Sequence, residues 1–286
     1  MTETPDTANP PDRIGIVGLG KMGRPVGRHL RAAGYSVTGF DPSPEAAALA
    51  REAGIDTLEC TAALAAVSDL VLVLVGFDDE VEASVFGPCG VIEGAHPGTT
   101  VAIGSTISPS YARSLASRLA DGGMIPLDVP SARGEKAVEE GTILLLGAGD
   151  KDTFDRWRPA FETFCADILH LGDFGAGQIA KLANNMILWA SMAANDEALR
   201  LAEALGADKE AVRDALSISS ARNWALTTRA EEKPIPWAEK DIRLALSEAD
   251  DLQFPLHVAA AAGEAMKAFK ARHQIPTPKP TRGKCR

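Results

Sequence analysis

Three polar side chains, Lys181, Asn184 and Asn185, interrupt an otherwise apolar stretch and have the clearest capacity for chemistry. Residues three and four apart share one face of a helix, so the amine and the two amides are expected to point the same way. Desolvation lowers the pKa of an amine, which can then exchange a proton and stabilise charge on an oxygen. On this stretch alone, a solvated lysine beside two structural asparagines is the simpler interpretation.

A single long helix must position these side chains. The run from Gln178 to Leu205 contains neither glycine nor proline and is bounded by Gly177 and Gly206. This predicts a helix of roughly 40 Å, longer than most globular helices and long enough to cross a domain boundary. Asparagine is a poor residue for a helix interior, so two in succession require a reason beyond helix stability.

A second group of residues predicts a dinucleotide site. The segment Gly18–Gly23, GLGKMG, follows a β-rich run at 13–17 and opens an amphipathic helix pattern that reaches Ala33. In this context the first glycine permits a tight turn, and the second lets the backbone approach a pyrophosphate. The third lets the helix pack closely on the strand. The pyrophosphate then meets the free N–H groups of a helix N-terminus.

Asp41 is expected to set the choice of nucleotide. It ends a predicted strand at 35–40 and lies 23 residues past Gly18, close to the spacing of about 20 for a carboxylate that binds ribose. Because Pro42 follows, no arginine stands there to bind a 2′-phosphate. These features favour NAD over NADP. The alternative, Asp41 as a turn residue, is weaker.

Between these two groups the sequence alternates helix and strand. Further strands are predicted at 69–75, 100–103, 124–128, 142–147 and 167–171, with helices at 45–53, 64–67, 79–86 and 109–120. The pattern predicts an α/β fold, a Rossmann-type doubly wound parallel sheet followed by an all-α C-terminal domain. We expect a dinucleotide-binding domain at 13–174, a helical substrate and dimerisation domain at 175–274, and disordered tails at 1–12 and 275–286.

Composition narrows the classes of function. The 286 residues exceed the size that one hydrophobic core usually serves, which agrees with two domains. A formal charge of −10 argues against nucleic-acid or anionic-membrane partners. The longest apolar run, 70–75, is too short to span a bilayer, and we recognise no signal peptide. Scattered cysteines and histidines predict a reduced, cytoplasmic protein without a metal site.

Taken together, the motifs resemble those of the β-hydroxyacid dehydrogenase family, whose best known member is 3-hydroxyisobutyrate dehydrogenase. The resemblance extends from Arg13 to about Ala271. It rests on GLGKMG, on Ser-Thr-x-x-Pro at 105–109, on Asp-x-Pro at 128–130 with Gly-Thr at 141–142, and on GxGxxxKxxNN at 175–185.

The resemblance implies an NAD-preferring oxidoreductase, with NADP possible, that interconverts a small 3-hydroxy acid and its aldehyde by hydride transfer. A sulfonate or phosphate analogue of the acid would also fit. Catalysis falls to Lys181 and Asn185. Substrate contacts fall to Thr106, Ser131, Arg133, Gly134 and Asn184. Cofactor contacts fall to Gly18, Leu19, Gly20, Lys21, Met22, Gly23, Asp41, Val75, Gly76, Thr106 and Lys240. A homodimer or homotetramer is also implied.

The sequence departs from the family pattern where substrate should bind. The family's Asp-Ala-Pro-Val-Ser-Gly-Gly reads Asp-Val-Pro-Ser-Ala-Arg-Gly at 128–134, so Ala132 and Arg133 replace a serine and a glycine. Relatives that look like sulfolactaldehyde reductase also have an arginine here, where it would face a sulfonate. Arg133 is therefore either a ligand of the substrate's anionic group or part of a salt bridge.

Two further departures lie elsewhere. Val75-Gly76 replaces a Leu-Pro pair, and Lys-Pro-Ile-Pro-Trp at 233–237 stands where the family has a phenylalanine.

Three other functions stay open: an NADPH-dependent aldehyde reductase on the same fold, a non-catalytic oligomeric binding scaffold, and an imine reductase. Lys181 argues against the last two, since imine reductases generally lack it, and the asparagine pair also argues against a scaffold.

Overall fold

The computed structural model describes residues 12–228 and 235–280. They divide into two compact units. The first contains the residues up to Ile107 and Tyr111–Gln178, and the second contains Ser108–Ser110 and Ile179–Lys279. The described residues do not include 1–11, 229–234 and 281–286. Most of the two predicted tails and the first part of the substituted segment at 233–237 therefore lie outside them.

The first unit is built on a β-sheet. Its strands are β1 (Arg13–Val17), β2 (Ser36–Phe40), β3 (Asp56–Thr57), β4 (Leu70–Val73), β5 (Thr100–Ile103), β6 (Ile125–Asp128), β7 (Ser131–Ala132), β8 (Ile143–Gly149) and β9 (Cys165–His170). The helices that follow the strands are α1 (Gly23–Ala32), α2 (Pro44–Glu52), α3 (Thr61–Ala66), α4 (Asp78–Phe86), α5 (Val91–Gly94), α6 (Pro109–Asp121), α7 (Gly134–Glu139) and α8 (Lys151–Phe161).

Six strands form the predicted parallel sheet, in the order β3-β2-β1-β4-β5-β6. The strand order reverses on the two sides of β1, which is the position where open sheets of this kind bind ligands. Val17 is in register with Phe40 on one side and with Val73 on the other. The residues that follow these three strands are thereby brought to one edge of the sheet.

The predicted parallel sheet is confirmed, and its far end adds antiparallel pairings that the sequence pattern did not predict. β8 pairs antiparallel with β6 and β7, and β9 pairs parallel with β8. Only the short helix α7 separates β7 from β8. A parallel crossover needs a dozen or more residues, so this connection returns the chain in the opposite direction.

The sheet is covered on both faces. Along β4, Leu70 and Leu72 pack into one cluster of buried residues, whereas Val71 and Val73 pack into a second. Successive side chains of a strand point to opposite faces, so this uninterrupted apolar run is the pattern of a strand buried on both sides. Helix α8 contributes Trp157 to the first cluster.

The second unit is helical. Its elements are α9 (Ala176–Ala204), α10 (Lys209–Ser217), α11 (Trp224–Thr228), α12 (Ala238–Asp251) and α13 (His257–Arg272). Its core includes Trp189, Ile242 and Met266. Helix α9 is the predicted long helix, with both ends within two residues of the expected ones. In the described part of the chain, no helix has the length and apolarity needed to cross a membrane.

Two limits of the compact units lie near the predicted domain limits, which stay predictions. The division between the units falls after Gln178 instead of after 174, since the first turn of α9 is bonded to β6. At the other end, Ile275 is buried in the core of the second unit and the Thr277 hydroxyl lies 2.8 Å from the Lys270 amine. The structured region therefore continues past residue 274.

Candidate active site

The glycine loop has the shape that a dinucleotide requires. Gly18 has a φ of +93°, and a Cβ added there would lie 2.6 Å from the Leu74 carbonyl oxygen. A Cβ at Gly23 would clash with the Gly18 carbonyl oxygen, so the start of α1 packs on the loop at a distance that only glycine allows. A Cβ at Gly20 would meet nothing within 4 Å. Backbone N–H groups at Gly20 are thus approachable from outside, as pyrophosphate binding needs.

The neighbouring loop residues have separate roles. Leu19 is fully buried and its side chain packs over Gly39 of β2. Met22 packs against the first core cluster. Lys21 forms an exposed ion pair with Glu135, with 2.9 Å between Nζ and Oε2. Lys21 is exposed and Met22 is half-buried, so these two residues, unlike Leu19, remain accessible to a ligand at this loop.

Asp41 follows β2 beside this loop. Its Oδ2 accepts a hydrogen bond from the Leu19 N–H at 2.8 Å, and its Oδ1 accepts one from the Ser43 N–H at 2.8 Å. The carboxylate therefore holds the glycine loop in place. Each oxygen retains a further lone pair that could accept from a ribose hydroxyl, and its negative charge opposes a 2′-phosphate.

Val75, Gly76 and Thr106 follow β4 and β5 at the same edge of the sheet. The Val75 N–H donates to the Ser105 hydroxyl at 2.9 Å, and that hydroxyl donates to the Val73 carbonyl at 3.2 Å. The Gly76 N–H donates to Glu80 Oε2 at 2.8 Å. Half-buried Thr106 comes directly after Ser105. These contacts set the shape of the loops next to the nucleotide site.

Ser131, Arg133 and Gly134 lie at the turn from β7 into α7. Arg133 Nη2 donates to Asp167 Oδ2 at 2.6 Å, and Nη1 donates to the Thr142 carbonyl at 3.0 Å. These contacts are those of the salt bridge, one of the two interpretations of Arg133. Its role toward a substrate stays a prediction. Arg133 also has a φ of +86°, which explains why glycine suits this position in the family.

Asp128, at the end of β6, was part of a motif but was not predicted as a site residue. It is completely buried. Its Oδ2 accepts from the backbone N–H groups of Gly175 and Gln178 at 3.1 and 2.9 Å, and its Oδ1 accepts from the Gln178 amide at 2.8 Å. Burial raises the pKa of Asp128 to about 6, and these donated bonds oppose the rise. The carboxylate fixes the first turn of α9 to the sheet.

The predicted catalytic residues of α9 form a polar cluster with α12. Asn184 Nδ2 donates to Asn185 Oδ1 at 2.9 Å, and Asn185 Nδ2 donates to Asp241 Oδ2 at 2.9 Å. Trp189 Nε1 donates to the same oxygen at 3.2 Å. Asn185 and Asp241 are both buried, so the asparagine pair does not simply face solvent.

Asp241 is the residue of this cluster that the sequence motifs did not single out. Burial raises its pKa above the ordinary value, and the charges of Lys240 and Lys181 oppose that rise. Lys240 Nζ lies 3.7 Å from Asp241 Oδ1. Lys181 is half-buried on the helix face that carries Asn184 and Asn185. The charges of two lysines therefore act on the buried carboxylate that binds Asn185, an arrangement able to exchange and hold a proton.

Within residues 12–228 and 235–280, no three His, Cys, Asp or Glu side chains are grouped where they could hold a metal ion. The residues just described fit a nicotinamide dinucleotide: an open glycine loop, a helix N-terminus and a carboxylate after β2.

Comparison with known proteins agrees with this fit. Residues 13–172 match the family described as the NAD-binding domain of 6-phosphogluconate dehydrogenase, and residues 175–276 match the NAD-binding region of NADP-dependent 3-hydroxyisobutyrate dehydrogenase. Probable 3-hydroxyisobutyrate dehydrogenase of Mycobacterium tuberculosis is 33% identical over 256 residues, which cover 87% of this chain and 86% of that protein. The 2-(hydroxymethyl)glutarate dehydrogenase of Eubacterium barkeri is 29% identical over 269 residues, or 91% of this chain and 89% of that one.

A solved structure shows the same architecture. The 3-hydroxyisobutyrate dehydrogenase of Mycobacterium tuberculosis, solved with L-serine, superposes with a TM-score of 0.83 at 30% identity, over 93% of this chain and 96% of that one. Both matched families cover consecutive parts of the chain, and the structural agreement spans both units. The chain therefore belongs to the β-hydroxyacid dehydrogenase family, and is a nicotinamide-dependent oxidoreductase that acts on CH–OH groups.

Proposed function

We propose that this enzyme is an NAD-preferring dehydrogenase that interconverts a small 3-hydroxy acid, or its sulfonate or phosphate analogue, and the corresponding aldehyde. The observation that carries the proposal is the cluster in which Asn185 links Asn184 to the buried Asp241, on the helix face that carries Lys181. Buried polar groups and paired asparagines are unfavourable in a helix interior unless they have a use. Proton exchange at a reacting oxygen is such a use.

In this proposal the first unit binds the cofactor. The backbone of Gly18–Gly23 holds the pyrophosphate, and Asp41 accepts hydrogen bonds from ribose hydroxyls. Val75, Gly76 and Thr106 border the nucleotide at the ends of β4 and β5, and Lys240 is a further cofactor contact. When bound, the nicotinamide accepts or returns the hydride. Asp41, with Pro42 after it, supports NAD as the preferred form.

Lys181 carries the proton in this mechanism. Its Nζ takes the proton of the substrate hydroxyl as the alcohol is oxidised and returns it in the reverse direction. The ammonium formed in this way stabilises the partial negative charge on the reacting oxygen. Asn185 is held in one orientation by Asp241, so its amide can hold the amine without titrating itself. Asp241 acts through Asn185 and is a positioning residue.

The substrate class follows from the chemistry that the named relatives share. 3-Hydroxyisobutyrate and 2-(hydroxymethyl)glutarate are both 3-hydroxy acids with a primary alcohol, and they differ in the group on C2. The same fragment is present in the L-serine of the mycobacterial structure. The changed sequence Ser131-Ala132-Arg133-Gly134 supports an acid with a different C2 group or a different anion.

The proposal is tested by following NADH absorbance with a panel of small 3-hydroxy acids and their sulfonate analogues. We expect turnover with at least one of them and a higher kcat/KM with NAD than with NADP. A higher kcat/KM for aldehyde reduction with NADPH than for acid oxidation with NAD would favour the aldehyde reductase. Absence of turnover with every acid and every aldehyde would favour the binding scaffold.

A single variant tests the mechanism. Lys181→Ala is expected to lower kcat by at least about two orders of magnitude, because general acid–base catalysis contributes that much. The affinity for NADH, measured by fluorescence titration, should stay near that of the wild type since the amine acts on the substrate oxygen. Lys209→Ala, at the half-buried lysine that begins α10, is the matched control. A Lys181→Ala enzyme with wild-type kcat would refute the catalytic assignment.

A further inference from the structure

A buried lysine that the proposed reaction does not use lies on α13. Lys270 is only 2% exposed. Its Nζ lies 3.0 Å from Glu239 Oε1, 2.8 Å from the Thr277 hydroxyl oxygen and 3.1 Å from the Pro236 carbonyl oxygen. An ammonium has three N–H donors, and three acceptors surround it. The ammonium group is therefore buried with each of its three donors near an acceptor, and removing one partner would leave an uncompensated buried charge.

The acceptors come from two places in the chain. Pro236 and Glu239 flank the start of α12, whereas Thr277 follows the end of α13. The Thr277 hydroxyl also lies 3.3 Å from Glu239 Oε1, so lysine, glutamate and threonine contact one another. Ile275, two residues before Thr277, is buried in the core of the second unit. The C-terminal segment is thus fastened to the first turn of α12.

That turn also carries the polar cluster described above. Glu239 and Asp241 are two residues apart, which places them about 200° apart around the helix. Glu239 accordingly binds Lys270 of α13, and Asp241 binds Asn185 and Trp189 of α9. The first turn of α12 is therefore held from both sides. Lys240 lies between these two contacts.

We infer that Lys270, together with Glu239 and Thr277, is a positioning group for the reaction. It fixes the first turn of α12 and so sets where Asp241 meets Asn185 and where Lys240 stands. This inference rests on the proposed function only for its catalytic consequence. Misplacement by about 1 Å can cost a reacting group as much as a hundredfold in rate, so loss of the clamp should reach the chemistry.

A stability measurement alone cannot test this, since removing one partner of a buried ion pair destabilises any protein. The informative set is Lys270→Met, Thr277→Val and Thr277→Ser, with Lys267→Met as control. Thr277→Val keeps the shape of the side chain and removes the hydroxyl, whereas Thr277→Ser restores it. Lys267 lies on the same helix, is exposed and pairs with Glu264.

Steady-state kinetics and amide hydrogen exchange are measured well below the lowest unfolding temperature. We expect Lys270→Met to lower kcat by about tenfold to a hundredfold, and to change the KM for NAD, which Lys240 affects, by a smaller factor. Thr277→Val should lower kcat by several-fold, and Thr277→Ser and Lys267→Met should behave as wild type. Exchange at residues 238–244 should quicken in Lys270→Met and Thr277→Val alone.

Each outcome has a defined meaning. Wild-type kcat in folded Lys270→Met, or an equal loss in Lys267→Met, would overturn the inference. If Lys270→Met does not fold, the comparison of Thr277→Val with Thr277→Ser decides, and equal kcat values would overturn it. If the wild type oxidises no acid, the proposed function fails. In that case unchanged exchange at 238–244 would overturn the clamp, and faster exchange would support it.

Discussion

Asp41 combines a predicted role in nucleotide binding with a structural role in the glycine loop. It is expected to select the nucleotide, and it also accepts hydrogen bonds from the backbone at Leu19 and Ser43. A hydrogen bond to a charged group contributes about 1.5–3 kcal/mol, so each contact is large enough to matter. Replacement of this residue should therefore change both the choice of nucleotide and the order of the glycine loop.

We expect Asp41→Asn to reduce the preference for NAD over NADP by about tenfold or more. The amide removes the charge that repels a 2′-phosphate but still accepts one backbone hydrogen bond. Dissociation constants of NADH and NADPH, measured by fluorescence, give the ratio directly. Asp56→Asn, an exposed carboxylate of β3, serves as the charge control. The assignment is wrong if the wild type already binds NADPH more tightly.

Variants of Arg133 and of its ion-pair partner Asp167 distinguish the two interpretations of Arg133. If Arg133 binds the substrate anion, kcat/KM of Arg133→Ala should be about one to two orders of magnitude lower than that of the wild type. Asp167→Asn removes the ion pair and leaves the guanidinium, so it should then retain most of the activity. Kinetics with an anionic substrate and its neutral amide complete the measurement. Equal losses in both variants, for both substrates, would assign Arg133 to the salt bridge.

At the scale of elements, the contact between β6 and α9 depends on one carboxylate. The pKa of Asp128 is raised in the folded protein to about 6 because the group is buried. A group whose folded pKa exceeds its unfolded value stabilises the fold at low pH, and this contribution is lost as pH rises through the folded pKa. The contribution of Asp128 to the unfolding free energy should accordingly be largest below its unfolded pKa and be lost as pH rises through about 6.

The expected pH effect can be measured by denaturant unfolding. Relative to Asp128→Asn, the wild type should lose about 2 kcal/mol of unfolding free energy between roughly pH 4 and pH 8. Asn at 128 does not titrate, so the difference between the two proteins isolates this group. A difference that is constant with pH, or that grows as pH rises, would contradict the raised pKa.

Much of the architecture could be predicted because its signals are local. The apolar run at 70–73 predicts a buried strand, and the run without glycine in α9 predicts a long helix. The alternation of helices and strands along the chain predicts a parallel sheet. Helix α8 was missed, since only Asp150 marks its start and Pro159 lies inside it. The antiparallel return of β8 was missed because its direction depends on the length of a connection whose helix, α7, has six residues.

The site divides in the same way. Lys181, Asn184 and Asn185 are visible as polar residues in an apolar helix, and the glycine loop has a spacing of its own. Asp241 is visible beside Lys240 in the sequence, but its role could not be predicted, because its partner Asn185 lies 56 residues away. Lys270 belongs to no motif, and Asp128 stands in the Asp-x-Pro motif without any sign that it is buried. Their importance lies in burial, which composition does not report.

At the scale of the whole molecule, exposed apolar side chains are unevenly distributed. Among the described residues, nine of the large ones belong to the second unit and four to the first, although the second unit is smaller. Ile187 of α9 is 69% exposed and Ile218 is 88% exposed. Large exposed apolar side chains on a stable protein often mark contacts between chains. We therefore retain the prediction of a homodimer or homotetramer.

Light scattering of the purified protein should give a mass of at least two chains at micromolar concentration. Ile187→Asp is expected to shift the equilibrium toward the monomer, because a charge at a buried contact lacks a partner. Val67→Asp, at a partly exposed apolar position of the first unit, should not. A monomeric wild type would end the oligomer prediction.

The division of the chain after Gln178 affects how relatives can exchange parts. Gln178 belongs to the first unit through Asp128 and Ser105, yet Lys181 follows only three residues later on the same helix. A recombination point placed at the apparent domain limit near residue 174 would join the helix start of one parent to the carboxylate of the other. Chimeras of family members should take both Gln178 and Asp128 from a single parent. The crossover point is then chosen to preserve these hydrogen bonds and not to coincide with the start of a helix.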